Sequence, residues 1–219
     1  MASENYEDVR SYTMDDDVLE QLLNEQTELN FMWSTKDHWA VGVYMSFVWR
    51  DGSFWVTLTT QRARMRAIER DPRVSVAVSS VGTSLGRQKS ATAKGRVRIH
   101  DDDETKAWFY PALAKRVMPN IAAVQRAFVA LLDSERRVVL EVVPEKWITF
   151  DVSKMKADTA ISMAKVAMPE SVKRMAEQLG IDSEEFIRRT INIMGIDNPR
   201  EFRGPRKRVS DALRRIWPP

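Results

Sequence analysis

The sequence predicts a mainly β protein with helices (α+β), in which an antiparallel sheet closes into a small barrel and a helical extension follows. Three observations carry that expectation. Six stretches between Leu29 and Val143 either alternate apolar and polar residues or run apolar, as strands do. The turns between the early ones are too short for a crossover helix, so neighbouring strands must run antiparallel. From Asp151 onward the apolar residues fall instead at helical spacing.

Taken in order, residues 1–12 are polar and read as a disordered tail. Thr13 is a candidate N-cap, with Asp15, Asp16 and Asp17 in a first turn where negative charge suits the helix dipole. Val18, Leu19, Leu22 and Leu23 then mark an amphipathic helix to about Gln26. Leu29–Ser34 is a strand, Thr35–His38 its turn, and Ala40–Trp49 a second, longer strand. Arg50, Asp51 and Gly52 form a hairpin turn into Ser53–Thr59. A basic helix follows and ends at Asp71-Pro72, because the residue before proline is pushed out of the α region. Val74–Ser79, a loop at Val81–Gln88 and the strand Ser90–Ile99 come next. On that last strand Ala91, Ala93, Gly95, Val97 and Ile99 share one face, small enough to imply a bulky neighbour. Asp101–Glu104 opens a helix that Pro119 interrupts, and a second helix runs from about Ile121 to Leu132. Arg137–Val143 and, past Pro144, Trp147–Phe150 complete the sheet.

This divides the chain into a tail and helix at 1–28, a barrel domain at 29–151 and a helical extension at 152–219. In the extension, helices are expected at Asp158–Met168, Pro169–Leu179, Ser183–Met194 and Ser210–Ile216. Met155, Ile161, Met163, Val166 and Met168 form an apolar face there, suited to folding back over the barrel as a lid or to stabilising a dimer as an arm.

The 219 residues include 43% hydrophobic ones, enough for a substantial core. No apolar run reaches 18 residues and the N-terminus has no signal-peptide pattern, so neither a membrane span nor secretion is expected. The absence of cysteine excludes disulfides, thiolate metal sites and cysteine nucleophiles, and it fits a cytoplasmic setting. Charge is mixed, with 34 Lys and Arg against 31 Asp and Glu.

The chemistry concentrates at the end of Ser53–Thr59. Arg62, Arg64 and Arg66 crowd a helix N-terminus, where the dipole disfavours cations. An anion docked there would reverse that cost through free backbone N–H groups, the hydroxyls of Thr59 and Thr60, and the guanidinium forks. The plain alternative is a solvated basic helix. His38 and His100 stand too far apart for metal-ligand spacing, and no Ser–His–Asp set can be assembled. Trp49, Trp55 and Trp147 could wall a flat ring or simply fill the core. Arg200, Arg203, Arg206, Lys207, Arg208, Arg214 and Arg215 outnumber Glu201 and Asp211 near the C-terminus. They would suit a polyanion, although a solvated tail explains them as well and nucleic acid is not expected.

The hairpin WRDGSFWVTLTT, the helix start QRARMRAIERDPRV and the strand ATAKGRVRI appear in an order and spacing that resembles the pyridoxamine 5′-phosphate oxidase-like split β-barrel superfamily. That superfamily includes FMN-dependent and deazaflavin-dependent reductases. The resemblance covers residues 29–151 and implies a six-stranded antiparallel split β-barrel, usually a homodimer with cofactor at the subunit interface. It puts Arg62 and Arg64 at the cofactor phosphate, Arg64 replacing the more usual lysine. Met45 and Ser46 fall on the strand that passes the flavin ring, and Ser90 near a position where some members use glutamine. Lys89 and Lys94 could serve the acidic tail of the deazaflavin F420. The arginine–histidine signature of true pyridoxamine phosphate oxidases is missing. The implied function is an oxidoreductase that moves hydride to or from a small organic molecule, with FMN as cofactor and F420 as the alternative. The other readings are a non-catalytic flavin-, haem- or tetrapyrrole-binding barrel and a polyanion-binding protein.

Overall fold

The computed structural model describes residues 9–86, 88–156, 158–159, 170–182 and 185–186. The chain forms two compact units, Thr13–Asp151 and a second made of Met1–Tyr12 with Val152–Pro219. The larger unit holds seven strands: β1 (Glu28–Ser34), β2 (Ala40–Ser46), β3 (Val48–Arg50), β4 (Ser53–Thr59), β5 (Arg73–Ser79), β6 (Lys89–His100) and β7 (Arg137–Asp151). Its helices are α1 (Asp16–Glu25), α2 (Ala63–Arg70), α3 (Asp103–Val117) and α4 (Ala122–Leu132).

All pairings are antiparallel, in the order β2-β1-β5-β6-β7-β4-β3. The two outermost strands, β2 and β3, are separated in the chain by Phe47 alone. Two edges so tethered force the sheet to curl on itself, and it forms a half-barrel. Seven strands replace the six expected. Ala40–Trp49 is not one strand: its first part pairs with β1 and its second with β4, and Phe47, fully buried, is the corner. Conversely, Pro144 does not break β7. It sits opposite Gly95 where the β6–β7 register shifts, a bulge that tolerates a residue with no N–H. Gly95 is required there, since a Cβ would run into the Val143 carbonyl.

Alternation sends Phe54, Val56 and Leu58 of β4 inward with Val138, Leu140 and Val142 of β7, and they join Val74, Val76, Val78, Ala91 and Ala93 in the main core. Ile99 shares that face, opposite the buried Leu140, but is exposed. A second core lies on the other side of β4 and β7. There Phe109, Tyr110 and Leu113 of α3 and Leu132 of α4 cover Val48 and Val139. Asp102 caps α3 by accepting from the Thr105 N–H at 2.7 Å.

The first helix starts at Asp16 with Asp15 in the capping position, not at Thr13. Its Leu22 and Leu23 enter the main core. Its C-terminus is closed by Arg116 of α3, which donates to the carbonyls of Leu23 (2.6 Å) and Gln26 and lies over the Phe47 ring. The β3–β4 turn has positive φ at both Asp51 and Gly52, as a two-residue type I′ hairpin requires.

In the smaller unit, α5 (Glu170–Gln178) forms as expected and ends in a Schellman motif. The Ile181 N–H donates to the Ala176 carbonyl and the Gly180 N–H to that of Glu177, with Gly180 at φ 64°. Most of the expected helix Asp158–Met168, nearly all of Ser183–Met194, the helix Ser210–Ile216 and the basic stretch Arg200–Arg215 lie outside the described residues. No described helix is long and apolar enough to cross a membrane.

Candidate functional site

The sheet's closure is incomplete. β3 pairs only with Ser53, Phe54 and Trp55, so along Val56–Thr59 the β4 backbone is paired with β7 on one side and with no strand on the other. β2 pairs with β1 and joins β3, the partner of β4, through the Phe47 corner. Ser46 ends β2 and is half-buried; Met45 before it packs against the main core.

At the far end of this opening β4 passes directly into α2. The Thr60 N–H donates to the Arg136 carbonyl at 2.8 Å, holding the turn against the start of β7. The Arg62 N–H donates to Thr59 O (3.0 Å) and the Met65 N–H to Arg62 O (2.9 Å), so the helix begins with Arg62 as N-cap. A helix start leaves its first N–H groups without intrahelical acceptors. The opposite end is anchored by Arg70, which donates to the Ser34 carbonyl at 2.9 Å. Met65 and Ile68 bury the other face of α2 in the core, which turns Arg62 and Arg66 out to solvent and leaves Arg64 between.

Arg64 is the distinctive residue of this turn. It is half-buried, and its Nε is buried with no hydrogen-bond partner. Burial, and then the neighbouring charge of Arg62, pull its pKa below the ordinary arginine value. A desolvated guanidinium N–H facing a second cation fits an anion in that place, because an oxyanion would satisfy the donor and cancel the repulsion.

Thr59, Thr60, Arg62 and Arg64 therefore share one turn, while Met45 and Ser46 end the strand that runs into the Phe47 corner. Lys89 and Ser90 stand elsewhere, at the other end of the sheet. Lys89 begins β6 and its Nζ meets Asp151 Oδ1 at 2.6 Å, while Ser90 is exposed and paired with Ser79 and Phe150. The tryptophans also separate. Trp49 and Trp147 flank Phe54 in the main core, with ring centroids 4.8 and 5.8 Å from it. Trp55 points to the opposite face, against Trp108 at 4.9 Å. Alternation along β4 makes a common wall impossible.

His100 Nε2 lies 3.2 Å from Glu141 Oε2, and the other oxygen of Glu141 accepts from Ser53 Oγ at 2.9 Å. His100 is thus tied into the β6–β7 face. Among the described residues no three His, Asp or Glu side chains gather as a metal site would need.

Two residues with no sequence signal adjoin the β4–α2 turn. Arg137 pairs with Thr59 across the β4–β7 ladder. Tyr110 of α3 is buried, and desolvation pushes its phenol above the ordinary value, opposed by the charge of Arg137 and the hydroxyl of Thr57. The Arg137 Nε is buried without a hydrogen-bond partner among the described residues, and the buried Tyr110 hydroxyl has the Thr57 hydroxyl beside it.

Residues 18–151 match the family model for pyridoxamine 5′-phosphate oxidase. The fold is similar to that of a conserved hypothetical protein from Mycobacterium tuberculosis, at TM-score 0.58 and 16% identity over 66% of this chain and 89% of that one. It is also similar to an F420 reductase (TM-score 0.46, 22% identity, 59% of this chain and 94% of that one). A haem storage protein from Vibrio cholerae gives TM-score 0.46 and 13% identity over 63% of this chain and 96% of that one. No curated protein sequence matches the chain.

Proposed function

Because this chain belongs to the pyridoxamine 5′-phosphate oxidase family, we propose that it is an oxidoreductase holding a phosphate-bearing flavin-type cofactor in the opening beside β4. The single observation that carries this reading is the buried, unpartnered Nε of Arg64 at a helix start that already contains Arg62. Arg62 and Arg64, with the hydroxyls of Thr59 and Thr60 and the N–H groups of the first α2 turn, would hold the phosphate. The ring would lie along the β2 border at Met45 and Ser46. When bound, the cofactor supplies hydride transfer to or from a small organic substrate, and the chain contributes orientation and electrostatics. FMN is the first choice and F420 the alternative.

The protein would act as a homodimer with cofactor at the interface. Exposed Tyr44 on the border strand β2 and exposed Ile148 on β7 supply apolar surface for such a contact. Ser90, exposed at the other end of the sheet, would join the site from the second copy, whereas Lys89 is held by Asp151. A concentration-independent 25 kDa particle in light scattering would remove the dimer from this account.

Absorbance titration with FMN and, separately, with F420 tests the cofactor, and turnover of the reduced cofactor tests the enzyme. Micromolar binding without turnover leaves a binding barrel. Failure of both cofactors to bind overturns the proposal, and uptake of haem in their place would favour the tetrapyrrole reading.

A further inference from the structure

The donors that converge on Thr59 do not all come from the helix start. Arg137 opens β7 directly opposite Thr59 in the antiparallel register. Residues so paired carry their side chains on one face of the sheet. Arg137 therefore shares the face of Thr57 and Thr59, over which α3 is packed. The strand holds it in that place firmly, because the Thr60 N–H is bonded to the Arg136 carbonyl and Thr57 Oγ1 donates to the Val138 carbonyl at 2.8 Å.

Around it the polar groups are incomplete. Tyr110 is 2% exposed, with its hydroxyl beside the Thr57 hydroxyl and within reach of the Arg137 charge, and the buried Nε of Arg137 has no partner among the described residues. Among the described residues none of Arg62, Arg64 and Arg137 forms an ion pair. A single ordered water could serve one hydroxyl, but it would leave these cations unanswered. An oxyanion at Thr59 would answer them.

We infer that Arg137 is a third arginine of the cofactor-phosphate site, reaching it from β7, and that Tyr110 is the residue that positions it. Arg62 and Arg64 approach the phosphate from the helix start, and Arg137 approaches from across the strand ladder. A dianionic phosphate monoester is the ligand chemistry this arrangement suits, since several forks can share its three terminal oxygens. The inference rests on the reading that the barrel holds a phosphate-bearing cofactor.

Titrations with FMN and with riboflavin, which lacks the phosphate, separate the two claims. Arg137→Gln is expected to weaken FMN binding about 10- to 100-fold and to leave riboflavin affinity within about threefold. Tyr110→Phe is expected to weaken FMN a few-fold by the same selective pattern. A purely structural tyrosine would instead weaken FMN and riboflavin alike. If F420 binds and FMN does not, the same ratio is read between F420 and its phosphate-free chromophore. Should Arg64→Gln lose FMN while Arg137→Gln keeps wild-type affinity, the cofactor reading survives and this inference falls. Equal losses of FMN and riboflavin in Arg137→Gln also overturn it. Wild-type protein that binds neither cofactor removes both.

Discussion

Lys89 and Arg64 are cations of one barrel, and they lead opposite lives. At the far end of the sheet Lys89 meets Asp151 at 2.6 Å, with side chains 10% and 8% exposed. At the β4–α2 turn Arg64, and Arg137 beside Thr59, keep a buried Nε that no described residue answers. Burying a charge is costly unless a partner comes with it. A buried cation matched by the chain's own carboxylate belongs to the fold, whereas an unmatched one is expected where a ligand brings the negative charge. Lys89 and Arg64 both stand in the sequence as candidate cofactor-binding cations; only their partners tell them apart.

The comparison breaks most visibly at its structural end. Asp151→Ala removes the carboxylate that meets the buried Lys89 ammonium and should cost up to roughly 3–5 kcal/mol of stability, measured by urea unfolding. Replacing both partners with Leu and Met should recover most of that loss. A single variant as stable as the wild type would show that this pair does not hold the fold.

Arg64→Ala tests the other end. It should cost the ligand-free protein almost nothing, because no bond in the chain is lost, while FMN affinity falls about 10- to 100-fold. That corresponds to roughly 1.5–3 kcal/mol for a charge-assisted contact. The reverse outcome, lower stability with intact affinity, would make Arg64 structural and move the phosphate elsewhere.

Asp102→Ala removes the cap of α3, the helix that carries Tyr110, and should destabilise by about 1 kcal/mol. A larger effect in thermal unfolding would mean that Asp102 does more than accept the Thr105 N–H.

The smallest effect is expected at Asp71, whose partner Arg73 is largely exposed. Hydrogen bonds from Arg73 lower the Asp71 carboxyl to about 2, against about 3.9 in an unfolded chain. Its folded-state pKa is depressed, so its contribution is present above the unfolded value and fades as pH falls toward 2. The difference in melting temperature between wild type and Asp71→Asn should therefore be small at neutral pH and vanish near pH 2. A difference independent of pH would argue against the ion pair as its cause.

Local signals reported local structure well. Arg50, Asp51 and Gly52 called for a hairpin turn and form one, and Asp71-Pro72 ends α2 where the steric rule places the end. The strand count came out differently for a non-local reason. Nothing in the apolar run at Ala40–Trp49 shows that its halves pair with different strands, because Phe47 is a corner only when β1 and β4 are both in place. Pro144 misled in the other direction: a proline reads as a strand break unless Gly95 and its bulge are known to lie opposite.

The site divides along the same line. Thr59, Thr60, Arg62 and Arg64 fall within six consecutive positions, so strand and helix periodicity alone are enough to gather them at one strand-to-helix turn. The sequence by itself therefore determined the basic helix start and most elements of the barrel, since these depend on steric limits and side-chain alternation acting over a few residues. The tertiary structure alone decided that Lys89 is matched by Asp151, 62 positions away, and that Arg137 lies across from Thr59. Those relations depend on antiparallel register between distant strands, and desolvation of a side chain is set by whatever packs over it.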